Sequence, residues 1–204
     1  MSLSSEDAPA RPGHSAVSGL ATAEFSPQER RLLLQLAHEA IRSALEQRKL
    51  SFDTPSSHFA EPRGVFTTLY HRGALRGCVG YILPTMPLHA AVAETARAAA
   101  FDDARFPALA REELPGLRVS LSILSPLQPI QPEQIEVGRH GLLIRHGNRR
   151  GLLLPQVPVE HGWDRTAFLE HTCRKAGLSP DAWETGASIE AFTAEVFGDA
   201  EVAS

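Results

Sequence analysis

The sequence predicts an α+β protein with packed helices and mixed or antiparallel sheets, and two observations favour this class. Strand-like runs occur in hairpin pairs, and amphipathic helical patterns separate them without the regular strand–helix–strand alternation of a doubly wound sheet. The composition is that of an ordinary globular protein, because hydrophobic residues make up 43% and charged residues 22% of the chain. A length of 204 residues fits one compact domain, which can be divided into two lobes.

The first regular element is a helix that begins after Ser26. Ser26 can cap this helix, Pro27 suits its first position, and Glu29 can complete a capping box. Apolar residues then recur at three- and four-residue steps up to about Arg48, which predicts an amphipathic helix with one buried face. The prolines and polar residues of 51–63 predict an irregular connection after it.

A β-hairpin and a second helix follow. Residues 65–70 and 75–83 are rich in β-branched and aromatic side chains and flank Gly73, which predicts two strands joined by a turn. Pro87 then starts a helix that runs to Ala100, and its alanine-rich side predicts close packing against a neighbour. The positions predicted to face inward are Leu88, Ala91, Val92, Thr95, Ala96 and Ala99.

The second half of the chain repeats this mixture of strands and helices. Alternation of apolar and polar side chains over 117–123 indicates a half-buried strand. The runs 141–144 and 152–154 predict a second hairpin with a polar, basic tip. Asp164 can cap a further helix, which Gly177 ends.

The boundaries of the folded domain follow from composition. Residues 1–24 are rich in Ser, Ala, Pro and Gly and lack the basic start and apolar run of a signal peptide, so they are predicted to be a disordered leader. The domain is predicted to cover 25–199, with its last strand within 189–197, and 200–204 are predicted to form a tail.

Bulk properties also restrict the location and the partners of the protein. Two cysteines do not make the disulfide framework of a small secreted domain, and no apolar stretch approaches the roughly 18 residues that cross a bilayer. A cytoplasmic protein without membrane contact is therefore expected. A formal net charge of −4 argues against a nucleic-acid backbone as the main partner, since such partners usually meet a basic surface.

The segment 75–80, with the sequence LRGCVG, is the strongest candidate for a functional site. Glycine weakens strands and is found mostly at bulges or where another group approaches the backbone closely. Strand alternation places Arg76, Cys78 and Gly80 on one face. The opposite face is expected to lie against the core, and it carries Leu75, Val79 and Tyr81.

This arrangement predicts a binding or catalytic surface. A guanidinium beside a cysteine favours the nucleophilic thiolate, so Cys78 is the candidate catalytic residue. Arg76, Gly77 and Gly80 are candidate ligand-binding residues, because the missing side chain of Gly80 would leave space for a ligand. The alternative is that Cys78 is a small buried residue without reactivity, as free cysteines often are.

Nine histidines raise the question of a metal site or a catalytic partner for the cysteine. His140, His146 and His161 flank the second hairpin, but no HExxH or CxxC spacing is present, so neither a metal nor a cofactor is predicted. A Cys–His nucleophile pair would need His58, His140 or His161 to reach Cys78, and the sequence favours none of them.

Two further polar clusters have alternative interpretations. Asp102, Asp103 and Arg105 can supply acid–base or ligand-binding groups, or they can form a capped turn anchored by Phe106. The basic hairpin tip, 145–150, is typical of a solvated turn and less often of an anion contact.

Several separate motifs, in one order along the chain, resemble those of a known family. They are 64–69, 75–80, 103–107, 138–142, 151–157, 162–164, 168–169, 175–178 and Trp183. Over about residues 27–198 the chain thereby resembles the AMME-syndrome candidate protein family, or AMMECR domain, whose bacterial and archaeal members are called AmmeMemoRadiSam system protein A. Val79 and Ala104 depart from the family pattern, which usually has Ile and Pro there, and the second change loosens a turn.

The resemblance implies a larger and a smaller lobe, with the segment 75–80 near the cleft between them. Asp103 and Arg105, which lie in one of the matching motifs, are further candidate ligand-binding residues by their own chemistry. The resemblance also implies an association with a Memo-like protein and a radical S-adenosylmethionine enzyme, although it carries no defined reaction. Two functions are therefore expected as alternatives. One is a ligand or catalytic cleft with thiol chemistry at Cys78, and the other is a non-catalytic adaptor that docks one of these partners.

Overall fold

Two antiparallel sheets of four strands each form the framework of the protein, which a computed structural model describes over residues 23–53 and 57–202. The helices are α1 (Pro27–Leu45), α2 (Leu88–Phe101), α3 (Gln156–Glu160), α4 (Arg165–Lys175) and α5 (Asp199–Val202). The strands are β1 (Val65–His71), β2 (Ala74–Tyr81), β3 (Leu117–Leu124), β4 (Gln128–Pro129), β5 (Gly141–His146), β6 (Arg149–Leu153), β7 (Ser188–Phe192) and β8 (Ala194–Gly198). This arrangement confirms the predicted α+β class.

The ends of the chain fall largely outside the described residues. Of the predicted leader, 1–24, only 23–24 are described, and of the predicted tail, 200–204, only 200–202 are described. No helix in the described ranges is both long and apolar enough to span a membrane.

Helix α1 forms where the sequence predicts it, because its N-terminal capping box is made. The Glu29 N–H donates to Ser26 Oγ over 3.3 Å, and the Ser26 N–H donates to Glu29 Oε2 over 3.0 Å. These bonds satisfy backbone donors that the first helical turn leaves without partners. The buried face of α1 then packs on α2, as the apolar periodicity requires. Its buried residues include Leu33, Leu36, Ala37, Ala40 and Ile41.

The larger lobe is built on the first sheet, in which the strand order is β2-β1-β3-β8. Helices α1 and α2 cover one face of this sheet, and Thr67 on β1 shares a 2.7 Å hydrogen bond with Thr95 on α2. The turn between β1 and β2 has positive φ at Arg72 and Gly73, which matches the right-handed twist of a hairpin. Strand β2 lies at the edge of the sheet, so one side of its backbone is not paired with another strand.

Helix α2 approaches β2 so closely that Gly77 is required at the contact. A Cβ atom at Gly77 would collide with the carbonyl oxygen of Ala99, which belongs to the rigid helix backbone. All six inward positions predicted for α2 are buried, and half of them are alanines. The small side chains allow the helix backbone to lie almost directly on the strand.

The smaller lobe is built on the second sheet, in which the order is β4-β7-β5-β6, with α4 packed against it. Asp164 caps α4 through a 2.8 Å bond from the Ala167 N–H, and Gly177 with φ +71° follows the end of the helix, as predicted. A separate hydrophobic core fills this lobe. It includes Ile135, Leu142, Ile144, Phe168, Leu169 and Cys173.

The two lobes are joined where two chain segments cross between the sheets. Ser125 follows β3, and its N–H donates to the Thr193 carbonyl over 2.9 Å, while the Thr193 N–H donates to Ser125 Oγ over 3.0 Å. Thr193 separates β7, which belongs to the second sheet, from β8, which belongs to the first. The last strand, β8, begins within the predicted range 189–197, but the sequence did not predict the separate strand β7, because the chain changes sheets at this residue.

The Gly77 contact predicts a large destabilisation by a single methyl group. Gly77→Ala should lower the free energy of unfolding by about 3 kcal/mol, since the helix backbone cannot move aside as a side chain can. Urea denaturation followed by circular dichroism measures this change. Gly116→Ala is the matched comparison, because the nearest atoms that its Cβ would meet belong to the side chains of His71 and Arg72. Equal losses in both variants would contradict the close helix–strand contact.

Candidate functional site

The pairing of β2 with β1 determines which side chains surround the segment 75–80. Thr68 lies opposite Cys78, and Phe66 lies opposite Gly80. These four residues share the face of the sheet that is turned away from α2, since the intervening Thr67 contacts the helix. The prediction that Cys78 and Gly80 share a face apart from the core is confirmed.

A β-bulge changes the face of the sheet on which the residues before Cys78 lie. The register shifts between Leu69 and Tyr70, so that Arg76 becomes the extra residue and Leu75 pairs with Tyr70. Leu75 is thereby carried to the outer face, where 43% of it is exposed. The expectation that Leu75 and Tyr81 face the core is wrong for two reasons. Strict alternation fails for Leu75 because of the bulge. Tyr81 lies at the end of the strand, where its side chain is 38% exposed.

Arg76 is held by an ion pair with Glu113, which lies in a short 3-10 turn before β3. Arg76 Nε donates to Glu113 Oε1 over 2.7 Å, and Nη2 donates to Oε2 over 2.9 Å. The side chains are only 12% and 23% exposed. The hydrogen bond from Arg76 lowers the pKa of Glu113 to about 2. Arg76 Nη1 is buried without a hydrogen-bond partner in the described part of the chain, so this guanidinium depends on Glu113.

Asp103 and Arg105 bind the backbone of Cys78 at the open edge of β2. The Cys78 N–H donates to Asp103 Oδ2 over 2.8 Å, and Arg105 Nη2 donates to the Cys78 carbonyl over 3.3 Å. Arg105 also bonds both carboxylate oxygens of Asp103, at 2.9 and 2.7 Å. The Arg105 side chain and the Cys78 N–H hold the pKa of Asp103 well below its usual range. The structure thus brings together two motifs that lie 25 residues apart in sequence.

Asp103 and Arg105, together with Phe106, also support the interpretation of 102–107 as a capped turn. Asp103 Oδ1 accepts a 3.2 Å bond from the Arg105 N–H, and the Phe106 N–H donates to the Asp103 carbonyl over 3.0 Å. The ring of Phe106 lies between two guanidinium groups, with Arg105 Cζ 5.5 Å and Arg76 Cζ 6.0 Å from its centre. The turn therefore positions Arg105 next to Cys78 and supports Arg76 from one side.

The thiol of Cys78 is free and half-buried. Its Sγ lies 3.3 Å from Thr68 Oγ1, and in the described ranges no histidine makes a hydrogen bond with it. The three histidines considered as partners have other contacts: His58 with Glu29, His140 with the Glu136 backbone, and His161 in a stack on Trp163. Any reactivity of Cys78 would therefore depend on the neighbouring Arg105 and Thr68 rather than on a histidine base.

A cavity of about 510 Å³ opens between the lobes at the Gly80 end of the segment. The larger lobe contributes Phe66, Gly80, Tyr81, Ile82, Leu83 and Thr85, and the smaller lobe contributes Leu143, Arg150, Gly151, Leu152 and Lys175. The ring of Phe66 covers Gly80, so it fills the space that the sequence predicted for a ligand at this residue. The free volume lies beyond that ring.

The structure thus divides the predicted site into two neighbouring parts. Cys78, Asp103 and Arg105 form a cluster at the edge of β2, and Gly80 lines the cavity. Arg76 is paired with Glu113, and Gly77 faces α2 rather than the cavity. Around this site, and elsewhere in the described ranges, no three His, Cys, Asp or Glu side chains are grouped as metal ligands would be.

Sequence reasoning missed several residues of the site. Phe66 and Thr68 could have been identified from the hairpin, because a turn at Gly73 sets which residues of the two strands face each other. Glu113 and Lys175 gave no local signal, because tertiary packing alone brings them to Arg76 and to the cavity.

The fold and the site define a two-lobed α+β protein with a free cysteine on an edge strand and a cleft between the lobes. The sequence model of the AMMECR1 family matches residues 34–197. The chain belongs to the AMMECR1 family, which confirms the resemblance seen in its motifs.

Relatives and a solved structure agree with this assignment. The chain is 43% identical over 186 residues to protein MK0488 of Methanopyrus kandleri, with 85% of this chain and 90% of that protein covered. It is 44% identical over 180 residues to protein TK0174 of Thermococcus kodakarensis, with 81% and 87% covered. It is similar to the crystal structure of the uncharacterized protein PH0010 from Pyrococcus horikoshii, with a TM-score of 0.64, 42% identity, and 81% of this chain and 89% of that chain covered.

The Arg76–Glu113 pair predicts a pH-dependent contribution to stability. Because the folded protein lowers the pKa of Glu113 from 4.5 to about 2, the pair stabilises the fold above pH 4.5 and is lost as the pH falls through about 2. Glu113→Gln should therefore cost about 2 kcal/mol of unfolding free energy at pH 7, and this difference from wild type should shrink towards zero near pH 2. Chemical denaturation across this range measures it.

Glu112→Gln is the matched control for that experiment. Glu112 is the preceding residue, it is exposed, and it makes no ion pair within the described ranges. Its substitution should change stability little at any pH. A pH-independent effect of Glu113→Gln would show that the ion pair with Arg76 does not stabilise the fold.

Proposed function

We propose that this member of the AMMECR1 family binds a ligand in the cleft between its lobes, with the Cys78 thiol as a reactive group beside the bound ligand. The observation that carries this proposal is the position of Gly80, which lines the 510 Å³ cavity and shares a strand face with Cys78. Two residues along a strand span about 6.6 Å, so the thiol lies near the edge of the cavity. Clefts of about 300–1,000 Å³ are typical of small-molecule sites.

The backbone of β2 adds to this proposal, because its outer edge faces the cleft region. Cys78 points its N–H and carbonyl away from β1, towards Asp103 and Arg105. By the two-residue alternation of an antiparallel ladder, Gly80 points its N–H and carbonyl to the same outer edge. A bound ligand can therefore use backbone groups of Gly80, as ligands often do in pockets that are otherwise apolar.

Arg105 supports the proposed thiol chemistry. Its side chain is 57% exposed although it bonds Asp103, so its guanidinium borders both Cys78 and solvent. The cation that the sequence placed beside the thiol was Arg76, but its bidentate bond to Glu113 holds Arg76 in place. Arg105 is the guanidinium that contacts the Cys78 backbone. A cytoplasmic, reducing environment is part of this proposal, since both cysteines are free thiols.

Thiol labelling tests the proposal. The folded protein should show one fast-reacting thiol per chain with a disulfide reagent at pH 7.5, because Cys173 is fully buried and burial raises the pKa of its thiol. Cys78→Ser should remove the fast phase and Cys173→Ser should retain it. Arg105→Gln should slow it about threefold, whereas Arg139→Gln in the smaller lobe should not change it. If Cys78 reacts no faster than free glutathione, it has no role as a reactive thiol.

A second candidate function is a non-catalytic adaptor, and one observation favours it. The bulge places Leu75 beside Tyr70 on the outer face of the first sheet, and both side chains are exposed. Adjacent exposed apolar residues are frequent in protein-binding surfaces. In this alternative the same face docks a Memo-like protein or a radical S-adenosylmethionine enzyme, and Cys78 serves only in packing.

Co-purification with a co-expressed partner separates the adaptor from the ligand-binding protein. Tyr70→Glu combined with Leu75→Glu should abolish capture of a Memo-like or radical-enzyme partner, because a charge on each side chain opposes burial of the surface. Val159→Glu is the control, since Val159 is an exposed apolar residue of the smaller lobe. Capture that survives the double substitution would exclude this surface as the docking site.

A further inference from the structure

We infer that the cleft selects an organic anion, with a carboxylate or phosphate group held by Arg150 and Lys175 and an apolar body packed against the opposite wall. This inference rests on the proposed function, because it names the ligand class of the same cleft. It concerns residues of the smaller lobe that neither Cys78 nor its neighbours contact.

The charges of the cavity point to an anion. Arg150 and Lys175 are its charged lining residues, and no carboxylate is part of the lining. Neither side chain makes an ion pair or hydrogen bond with any described residue. The neighbouring arginines of the same hairpin differ, because Arg145 pairs with Glu190 at 3.3 Å and Arg149 donates to the Gly177 carbonyl over 2.8 Å. Arg150 and Lys175 therefore keep their donors available for a ligand.

The smaller lobe contributes both cations of the lining. Lys175 is the last residue of α4, and Arg150 lies in β6 directly before Gly151. A Cβ atom at Gly151 would collide with the backbone of α4 at Ala176, so only glycine lets the strand lie against this end of the helix. The close contact sets the two basic side chains on adjacent elements at the mouth of the cavity.

The remaining lining requires an apolar part in the ligand. Phe66, Ile82 and Leu83 come from the larger lobe, and Leu143 and Leu152 come from the smaller one. An inorganic anion would bind the two cations but leave these side chains in contact with water, whereas a neutral apolar molecule would leave the cations unused. A molecule with both parts satisfies the whole lining. Arginine and lysine bind carboxylate and phosphate alike, so the head group is defined as an anion of either kind.

Binding of three matched probes to the full chain tests this inference by calorimetry. Octanoate and octyl phosphate carry the two anionic head groups, and octanamide keeps a chain of the same length without a charge. Octanoate or octyl phosphate should bind the wild type more tightly than octanamide, and each bound probe should slow the labelling of Cys78. The tighter of the two anions identifies the head group.

Two double variants complete the test. Arg150→Gln with Lys175→Gln should weaken binding of the preferred anion by about tenfold and leave octanamide unchanged. Arg149→Gln with Arg174→Gln removes the same net charge from the same hairpin and helix, but these residues do not line the cavity. Binding to this control should remain within about twofold of wild type, because these two exposed side chains do not line the cavity and exposed charges contribute little.

The outcomes separate the inference from the proposed function. One outcome is that octanamide binds as tightly as octanoate and octyl phosphate, slows Cys78 labelling equally, and binds the Arg150/Lys175 variant like wild type. The cleft would then bind ligands without selecting anions, and this inference would be wrong. If the control variant weakens anion binding as much as the Arg150/Lys175 variant, overall charge explains the effect and the inference is again wrong. If no probe binds the wild type or slows labelling, both the inference and the proposed cleft are wrong.

Discussion

The contact between the backbone of α2 and β2 at Gly77 determines the arrangement of the candidate site. Because Gly77 has no side chain, the Ala99 carbonyl lies directly on the strand, and α2 ends two residues later beside the outer edge of β2. The residues that follow the helix are thereby placed at Cys78, where Asp103 accepts the backbone N–H of the cysteine. A wider gap between helix and strand would carry the Asp103 carboxylate out of hydrogen-bonding distance, since N–H···O bonds in proteins are about 2.7–3.2 Å long.

The edge of β2 illustrates how one set of interactions serves both stability and function. An unpaired strand edge is a template for association with other chains, and proteins protect such edges with charges, bulges or covering loops. Here the bulge at Arg76 and the Asp103–Arg105 pair at Cys78 both protect the edge. The same pair holds the Arg105 guanidinium against the Cys78 carbonyl, and β2 continues beyond it to Gly80, which lines the cleft. The protected edge and the candidate binding surface are thus consecutive parts of one strand.

The local elements were largely predictable, because their causes lie within a few residues. The capping box of α1, the inward positions of α2, both hairpins and the start and end of α4 all formed as their patterns indicated. The failures had non-local causes. Leu75 was assigned to the core because a bulge leaves no mark in an alternating pattern. Strand β7 was not predicted as separate from the last strand because nothing local shows that the two pair with different sheets.

The sequence by itself determined the α+β class and the family, and it selected the segment 75–80 as the candidate site, since glycines in a strand and ordered motifs are properties of the chain alone. Only the tertiary structure decided which partner each site residue has. It paired Arg76 with Glu113, placed Arg105 at Cys78, and set Arg150 beside Lys175 at the cleft. The physical reason is that a charged side chain binds the complementary group that tertiary packing places within about 3 Å of it. The interaction energy depends on that distance and not on how far apart the two groups lie in the sequence.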